Sequence, residues 1–355
     1  MFRCLCSSLL LCLMCFSLLG TTSDTNDREV SWGHSLNSFI DTRKETGQSK
    51  PSFLEFVSEL AQSGDPTAQY TLGLAYFKGD ETDVDIEKAL YWTEKSAQQG
   101  VEEAQYTLGC RYLYGAGLEK DFEKAGKWLT MAEENGLLEA KTALGNLYCL
   151  RDDDEQDFDK SLKYFHAAAE ENDLNAILSI GNSYLLGRGV EKDFQEAMVW
   201  WKKAGEMGSI SAQQLLGNLF YFGKGITQDY SEALKWYLKT VENGSSDAKV
   251  YIGDIYFFGL GVDKDYSLSA KYYREALEAD MTFPYAEVIM KRLGAHYEEG
   301  EGVERDYVQA YTYYLLSDHK EACSRIRELM TDEEISGAEN NAVKWRDSYI
   351  RKLSS

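Results

Sequence analysis

Side chains that could carry out chemistry are few and scattered in this sequence. The chain has four histidines, at His34, His166, His296 and His319. No two of them have the spacing of a metal-ligand pair. The sequence also lacks a Gly-x-Ser-x-Gly nucleophile elbow, a His-Glu-x-x-His zinc motif and a phosphate-binding loop. We therefore predict that the protein is not an enzyme and that it holds neither a metal nor a cofactor.

A run of acidic residues at 152–159 offers potential cation ligands, with six carboxylates in eight positions. Calcium prefers such oxygen ligands. Counted from Asp152, however, the run places Asp157 where an EF-hand loop needs Gly and Lys163 where it needs Glu. We interpret the run as a solvated acidic loop, and the alternative is a docking point for a basic partner.

Polar side chains recur at a fixed step in the middle of the chain. They are Asn146, Asn182, Asn218 and Asp254, each 36 residues after the one before. Amides at such a period can hold an extended peptide by its backbone, because each donates to C=O and accepts from N–H. The alternative is that each side chain hydrogen-bonds across the seam between repeats and never meets a ligand.

The elements that position these residues form a 36-residue repeat. The repeat is carried by alanine (Ala68, Ala104, Ala140, Ala176, Ala212, Ala248), glycine (Gly73, Gly109, Gly145, Gly181, Gly217, Gly253), aspartate (Asp85, Asp121, Asp157, Asp193, Asp229, Asp265) and an aromatic residue (Trp92, Trp128, Tyr164, Trp200, Trp236, Tyr272). A seventh unit follows a five-residue insertion, with Gly294, Asp306 and Tyr313 in the same roles. Four columns in phase indicate one structural unit repeated.

Each unit is typical of a helix–turn–helix hairpin. Apolar residues at i, i+4 and i+8 form the first helix, a Gly-x-Gly turn follows, and an aspartate caps the second helix. We expect the aromatic column to lie in the core. Because a lone hairpin cannot bury its apolar face, the sequence predicts an all-α fold, a right-handed α-solenoid of about seven repeats with helical caps.

The chain divides into five predicted segments. Arg3, the apolar run 5–19 and Gly20 predict a signal peptide at 1–20, with an uncleaved membrane anchor as the alternative. A flexible leader at 21–50 and an N-terminal cap helix at 51–67 follow. Repeats occupy 68–321 and C-terminal cap helices 322–355. We therefore expect export, to the periplasm or outside the cell, and a mature form that is not embedded in the membrane.

Charge and cysteine content exclude several classes of protein. The net charge of −22 disfavours nucleic acid as a partner and favours a basic one. Beyond the signal segment only Cys110, Cys149 and Cys323 remain, too few for a disulfide framework. Cys110 and Cys149 lie on neighbouring repeats and are the candidate disulfide, and free thiols are the alternative.

The repeat also resembles a known family. Residues 176–208 include Gly181, Tyr184, Gly187, Gly189, Val190, Asp193, Ala197, Trp200, Lys203, Ala204 and Gly208. This pattern is similar to the Sel-one-like repeat, a relative of the tetratricopeptide repeat, and the resemblance covers about 68–321. It implies an adaptor in the bacterial envelope that binds a protein or an extended peptide on the concave face of the solenoid. A cysteine-rich branch of that family is associated with β-lactamase activity, but no repeat here holds a cysteine pair.

Three functional hypotheses follow from these observations. The first is a non-enzymatic protein-binding scaffold or regulatory adaptor, expected to be a monomer because a capped array needs no partner at its ends. The second is a factor that binds cell-wall glycan through exposed aromatic residues outside the core column, namely Trp201, Tyr221 and Phe222. The third, a hydrolase like the cysteine-rich branch, lacks a recognisable nucleophile.

Overall fold

The structure, a computed structural model, describes residues 52–151, 156–279 and 286–354. The predicted signal peptide and leader, His34 and the acidic residues 152–155 lie outside these ranges. The described residues form 17 α-helices and no β-strand. In chain order the helices are α1 (Phe53–Ser63), α2 (Pro66–Lys78), α3 (Ile86–Gln98), α4 (Glu102–Tyr114), α5 (Phe122–Glu134), α6 (Leu138–Leu150), α7 (Phe158–Glu170), α8 (Leu174–Leu186), α9 (Phe194–Glu206), α10 (Ile210–Phe222), α11 (Tyr230–Glu242), α12 (Lys249–Phe258), α13 (Tyr266–Ala279), α14 (Ala286–Glu299), α15 (Tyr307–Leu316), α16 (Lys320–Arg327) and α17 (Asp332–Ser354).

Helices α2 to α15 make seven hairpins, and we call the first helix of each the A helix and the second the B helix. The chain divides into two compact units within α6, unit 1 up to residue 143 and unit 2 from residue 144. Inside each unit a B helix packs against the A helix of its own repeat and against the A helix of the next. This arrangement confirms the predicted all-α solenoid fold of 36-residue repeats.

The ends of the B helices are fixed by the residues that the sequence analysis singled out. In every repeat the aspartate of the third column accepts a hydrogen bond from a backbone N–H three residues later, at 2.8 to 3.1 Å. Such a cap stabilises a helix by about 1 kcal/mol. At the other end the chain adopts positive φ, at glycine in most repeats, at Asn172 (67°) and at Asp318 (49°). These caps set the 36-residue period.

The glycine of each A helix is required by one side chain of the B helix. A Cβ at that glycine would come closer than 3.0 Å to the residue that directly follows the aromatic column. The seven pairs are Gly73–Thr93, Gly109–Leu129, Gly145–Phe165, Gly181–Trp201, Gly217–Tyr237, Gly253–Tyr273 and Gly294–Tyr314. The two helices can therefore approach closely only where the A helix has no side chain.

The aromatic column itself lies at the margin of the core. Trp128, Trp236 and Tyr313 are buried, whereas the other four members are half-buried. The deepest large side chains are instead Trp201, Tyr237 and Tyr273 in the following column, each 1% exposed or less. The core of each hairpin is thus centred one residue further along the B helix than we expected.

Further helices lie before and after the repeats. The N-terminal α1 begins with a capping box of Ser52 and Glu55, and α17 with one of Thr331 and Glu334. Along the described part of the chain, every helix is too short or too polar to span a bilayer.

Candidate binding surface on the A helices

The polar column of the sequence analysis lies one residue after the glycine in the A helices of unit 2. In two repeats a tyrosine hydroxyl reaches this position. Tyr237 Oη donates to Asn218 Oδ1 at 2.8 Å, and Tyr273 Oη donates to Asp254 Oδ1 at 2.6 Å. The tyrosine ring lies across the glycine, so its hydroxyl meets the next residue of the A helix. Asn218 and Asp254 therefore join the two helices of their own repeats.

Asp254 also contacts the following repeat. Arg292 of α14 forms an ion pair with the Asp254 carboxylate and donates to Tyr273 Oη at 2.8 Å. The guanidinium lies 5.0 Å from the ring centre of Phe258 and 5.4 Å from that of Phe257. Burial raises the pKa of Tyr273, and the Asp254 charge raises that pKa further. The hydroxyl thus remains a protonated donor at neutral pH, and the group links α12, α13 and α14.

Asn182 differs from the other members of its column. Its B-helix neighbour is Trp201, whose indole lies across Gly181 and has no hydroxyl to offer. The Asn182 side chain is exposed, and within residues 52–151, 156–279 and 286–354 it has no hydrogen-bond partner. Asn146 is half-buried beside Gly145. Of the four predicted residues, Asn182 alone is thus both exposed and open to a ligand.

Three exposed apolar residues accompany the polar column. Leu186, Phe222 and Phe258, the last residues of α8, α10 and α12, are 50%, 47% and 46% exposed. Each lies four residues after a member of the polar column, which places both on the same face of the helix. We call this set of six the A-helix row, made up of Asn182, Leu186, Asn218, Phe222, Asp254 and Phe258.

Aromatic residues support the row around Phe222. The Phe222 ring meets Tyr221 at 4.9 Å and Tyr251 at 6.0 Å between centroids, and Tyr251 stacks on Tyr237 at 5.1 Å. Of the three aromatics predicted to be exposed, Phe222 is exposed and Tyr221 is half-buried. The prediction for Trp201 is wrong, because its side chain fills the space left by Gly181 and is 1% exposed.

The remaining candidate residues have structural surroundings. His166 meets Trp200 edge-on at 5.5 Å, His319 caps α16, and His296 is buried. In the part of the chain that the structure describes, no three His, Cys, Asp or Glu residues are grouped as a metal site would require. Arg188 Nη1 lies 3.3 Å from Cys149 Sγ. The Cys110–Cys149 disulfide stays a prediction.

These features define a class of protein, the tetratricopeptide-like α-solenoids built from short helical hairpins. The model of the Sel1 repeat matches seven segments, 66–101, 102–137, 138–173, 175–209, 210–245, 246–281 and 290–317. The chain therefore belongs to the Sel1 repeat family, as its resemblance to that repeat predicted.

Solved structures with similar folds include other proteins with Sel1-like repeats. A Sel1 repeat protein from Oxalobacter formigenes is 24% identical, with 84% of this chain and 91% of that chain covered and a TM-score of 0.56. A protective antigen of uropathogenic Escherichia coli with an SLR fold is 22% identical, with 92% and 87% covered and a TM-score of 0.47. An immunity protein from Pseudomonas aeruginosa is 16% identical, with 63% and 85% covered and a TM-score of 0.41. No curated protein matches the chain.

Proposed function

We propose that the protein is a non-enzymatic adaptor of the bacterial envelope that binds a segment of a partner protein along the A-helix row. Sel1 repeat proteins generally act as protein-interaction scaffolds and not as catalysts. The observation that carries the proposal is the row itself, because it presents exposed apolar side chains at the same position of three successive repeats. In tetratricopeptide-like arrays the first helices line the concave face, which is the face we assign to the partner.

The two components of the row support different parts of binding. Leu186, Phe222 and Phe258 offer apolar area that a partner would remove from water, which stabilises a complex by about 25 cal/mol per Å². Asn182 offers a free donor and acceptor for a peptide backbone. Asn218 and Asp254 contribute rigidity to the row, since their acceptor oxygens are already held by tyrosine hydroxyls.

Export is the part of the proposal that rests on sequence alone. The basic start, the apolar stretch and the small residues after it support passage through a secretion system and cleavage near Gly20. An uncleaved anchor is the alternative. One of the three aromatic residues on which the glycan hypothesis rests, Trp201, is buried and so does not support it.

Site-specific photo-crosslinking in the living cell tests the proposal. A photoreactive amino acid placed at residue 182 or 222 should give a crosslink to one dominant protein, identified by mass spectrometry. The matched control is residue 199, because Val199 is also exposed, at 59%, but lies on the B helix α9. Crosslinks only at residue 199, or at none of the three, would contradict binding along the row.

A further inference from the structure

Charge is distributed unevenly among the A helices. Helices α8 and α10, of 13 residues each, contain no Asp, Glu, Lys or Arg, although 27% of the whole chain is charged. The fold does not require this, because A helices in the same position of other repeats carry several charges. Helix α4 has Glu102, Glu103 and Arg111, and α6 has Glu139 and Lys141.

Burial alone does not explain the missing charges either. A helix that is apolar on all sides is normally buried on all sides. In α8, however, Asn182 and Leu186 are exposed, and in α10 so are Ser211 and Phe222. The solvent-facing residues of both helices are thus amides, hydroxyls and apolar groups, at places where a soluble protein usually presents charge.

Such a composition is typical of the centre of a protein–protein interface. Interface centres are depleted of charged residues and enriched in aromatic ones, while charges lie at the rim. Charged groups at the ends of the two helices fit a rim, because Asp173 directly precedes α8, and Arg188 and Lys224 lie two residues after the ends of α8 and α10. Lys224 Nζ lies 5.4 Å from the Phe222 ring centre. The next A helix, α12, carries two charged residues and both are paired, Lys249 with Glu275 and Asp254 with Arg292 of α14.

We infer that the partner presents an uncharged segment with apolar side chains to α8 and α10. This inference rests on the proposed function and specifies the chemistry of the partner. A charged side chain placed on α8 or α10 away from Arg188 and Lys224 would lose water without gaining a counter-charge, which costs several kcal/mol. Apolar side chains cover Leu186 and Phe222 without that cost, and the Asn182 amide pairs with the backbone of the segment.

The contact on α8 and α10 and the long-range electric field of the protein affect binding in different ways. The net charge of −22 steers a partner with basic groups elsewhere on its surface, an effect that acts on the association rate and weakens with salt. The contact on α8 and α10 has no ion pair to screen. Salt therefore changes the association rate and leaves the dissociation rate nearly constant.

Selection from a random displayed peptide library tests the inference with the purified full-length protein. We expect the enriched peptides to be poor in Asp, Glu, Lys and Arg and rich in apolar residues. Phe222→Lys should weaken the binding of a selected peptide by about tenfold or more, the loss expected for an anchor residue. The dissociation rate of that peptide should stay constant between about 0.05 and 0.5 M NaCl, a range that shortens the Debye length to a few Å.

The control variant is Val199→Lys, which adds the same charge at an exposed apolar residue of a B helix and should leave binding unchanged. Selection of basic peptides whose dissociation rate depends on salt would overturn the inference. So would selected peptides whose binding is weakened equally by Phe222→Lys and Val199→Lys. Either result would leave the adaptor function intact. Failure to enrich any peptide would also overturn the inference. So would sedimentation that shows a dimer broken by Phe222→Lys, because a second copy would then cover the surface. Absence of the in-cell crosslink at residues 182 and 222 is the separate result that contradicts the adaptor function.

Discussion

Asn218 and Asp254 are fixed by tyrosine hydroxyls, whereas the equivalent Asn182 is open to solvent. The difference follows from one side chain of the B helix, which is tyrosine in the repeats of Asn218 and Asp254 and tryptophan, Trp201, in the repeat of Asn182. Only a tyrosine ring carries a hydroxyl far enough across the glycine to reach the next residue. One sequence column therefore contains both structural and ligand-accessible residues.

The two asparagines should respond differently to the same substitution. Asn218→Ala leaves the buried Tyr237 hydroxyl without its acceptor, and we expect a loss of about 1 to 3 kcal/mol in the free energy of unfolding. Asn182→Ala should change that free energy by less than about 0.5 kcal/mol. Urea unfolding measures both. In a Tyr237→Phe background the cost of Asn218→Ala should shrink, and equal costs in the two backgrounds would contradict the hydrogen bond.

His296 gives the protein a predictable dependence on pH. Burial lowers the pKa of this imidazole below its ordinary 6.5. Its Nδ1 donates to the Glu301 carbonyl at 2.9 Å, and the rings of Phe257 and Tyr266 and the hydroxyl of Ser269 surround it. The hydrogen bond and the charge of Glu301 oppose this lowering of the pKa in part, and the charge of Arg292 adds to it.

As pH falls through 6.5, the unfolded chain therefore binds a proton that the folded state resists, and stability decreases toward acid. Above that pH, His296 makes no pH-dependent contribution. We expect the free energy of unfolding of the His296→Gln variant to decline less than that of the parent between about pH 7 and pH 5. Parallel pH profiles from urea unfolding would contradict this assignment.

Each helical hairpin is held by a contact between a glycine and a large side chain. Gly217 faces the Tyr237 ring so closely that a Cβ would lie 2.5 Å from two ring carbons. Helix propensity alone favours alanine over glycine by about 1 kcal/mol. The glycine column is therefore maintained by packing between the elements and against local preference.

Gly→Ala substitutions should have opposite effects in two helices. Gly217→Ala should destabilise the fold by about 1 to 3 kcal/mol, because the ring has no space to move. Gly337 lies inside α17 with nothing within 4 Å of its would-be Cβ, so Gly337→Ala should stabilise by about 0.5 to 1 kcal/mol. Thermal and urea unfolding distinguish the signs. In a Tyr237→Ala background the penalty at residue 217 should largely disappear, and its persistence would contradict the packing argument.

The sequence predicted the elements better than it predicted the surface. Aspartate caps, turn glycines and the period are visible because each position demands one residue type. The side chain opposite each glycine was not predicted, because its residue type varies between repeats, from threonine at Thr93 to tryptophan at Trp201. No single residue type therefore marks this position in the sequence. The exposure of Leu186 and Phe258 was missed for a related reason. An apolar residue at a helix end is predicted to be buried, and only the positions of the neighbouring helices reveal that nothing covers it.

At the scale of the whole molecule, a strongly acidic chain contains a local region without charge. The electric field of the net charge of −22 extends about one Debye length from the protein, whereas the uncharged surface of α8 and α10 affects a partner only when the two are in contact. The electric field therefore acts as a partner approaches, and the uncharged surface acts once the partner is bound. Which partners the protein meets depends on where it resides. The predicted export segment is thus the feature of the whole chain that most constrains the partner.

Processing of that segment is directly measurable. When the protein is expressed in a bacterial host with a periplasm, we expect the recovered chain to begin near Thr21 and to appear in the osmotic-shock fraction. Intact-mass measurement and N-terminal sequencing identify the cleavage point. An Arg3→Glu variant should be processed more slowly, because it removes the only basic side chain of the segment. A full-length chain in the membrane fraction would favour the uncleaved anchor, and one in the cytoplasm would exclude export.

The glycine and the side chain that lies across it belong to the same hairpin, and this bears on how such arrays grow. Duplication of a 36-residue segment of the gene copies both partners at once, so each new hairpin arrives with its internal packing complete. The Asp254–Arg292 pair, in contrast, spans two hairpins and is divided by any duplication inserted between them. Lengthening of the array should therefore be tolerated within the run of regular repeats and resisted at the junction before the seventh.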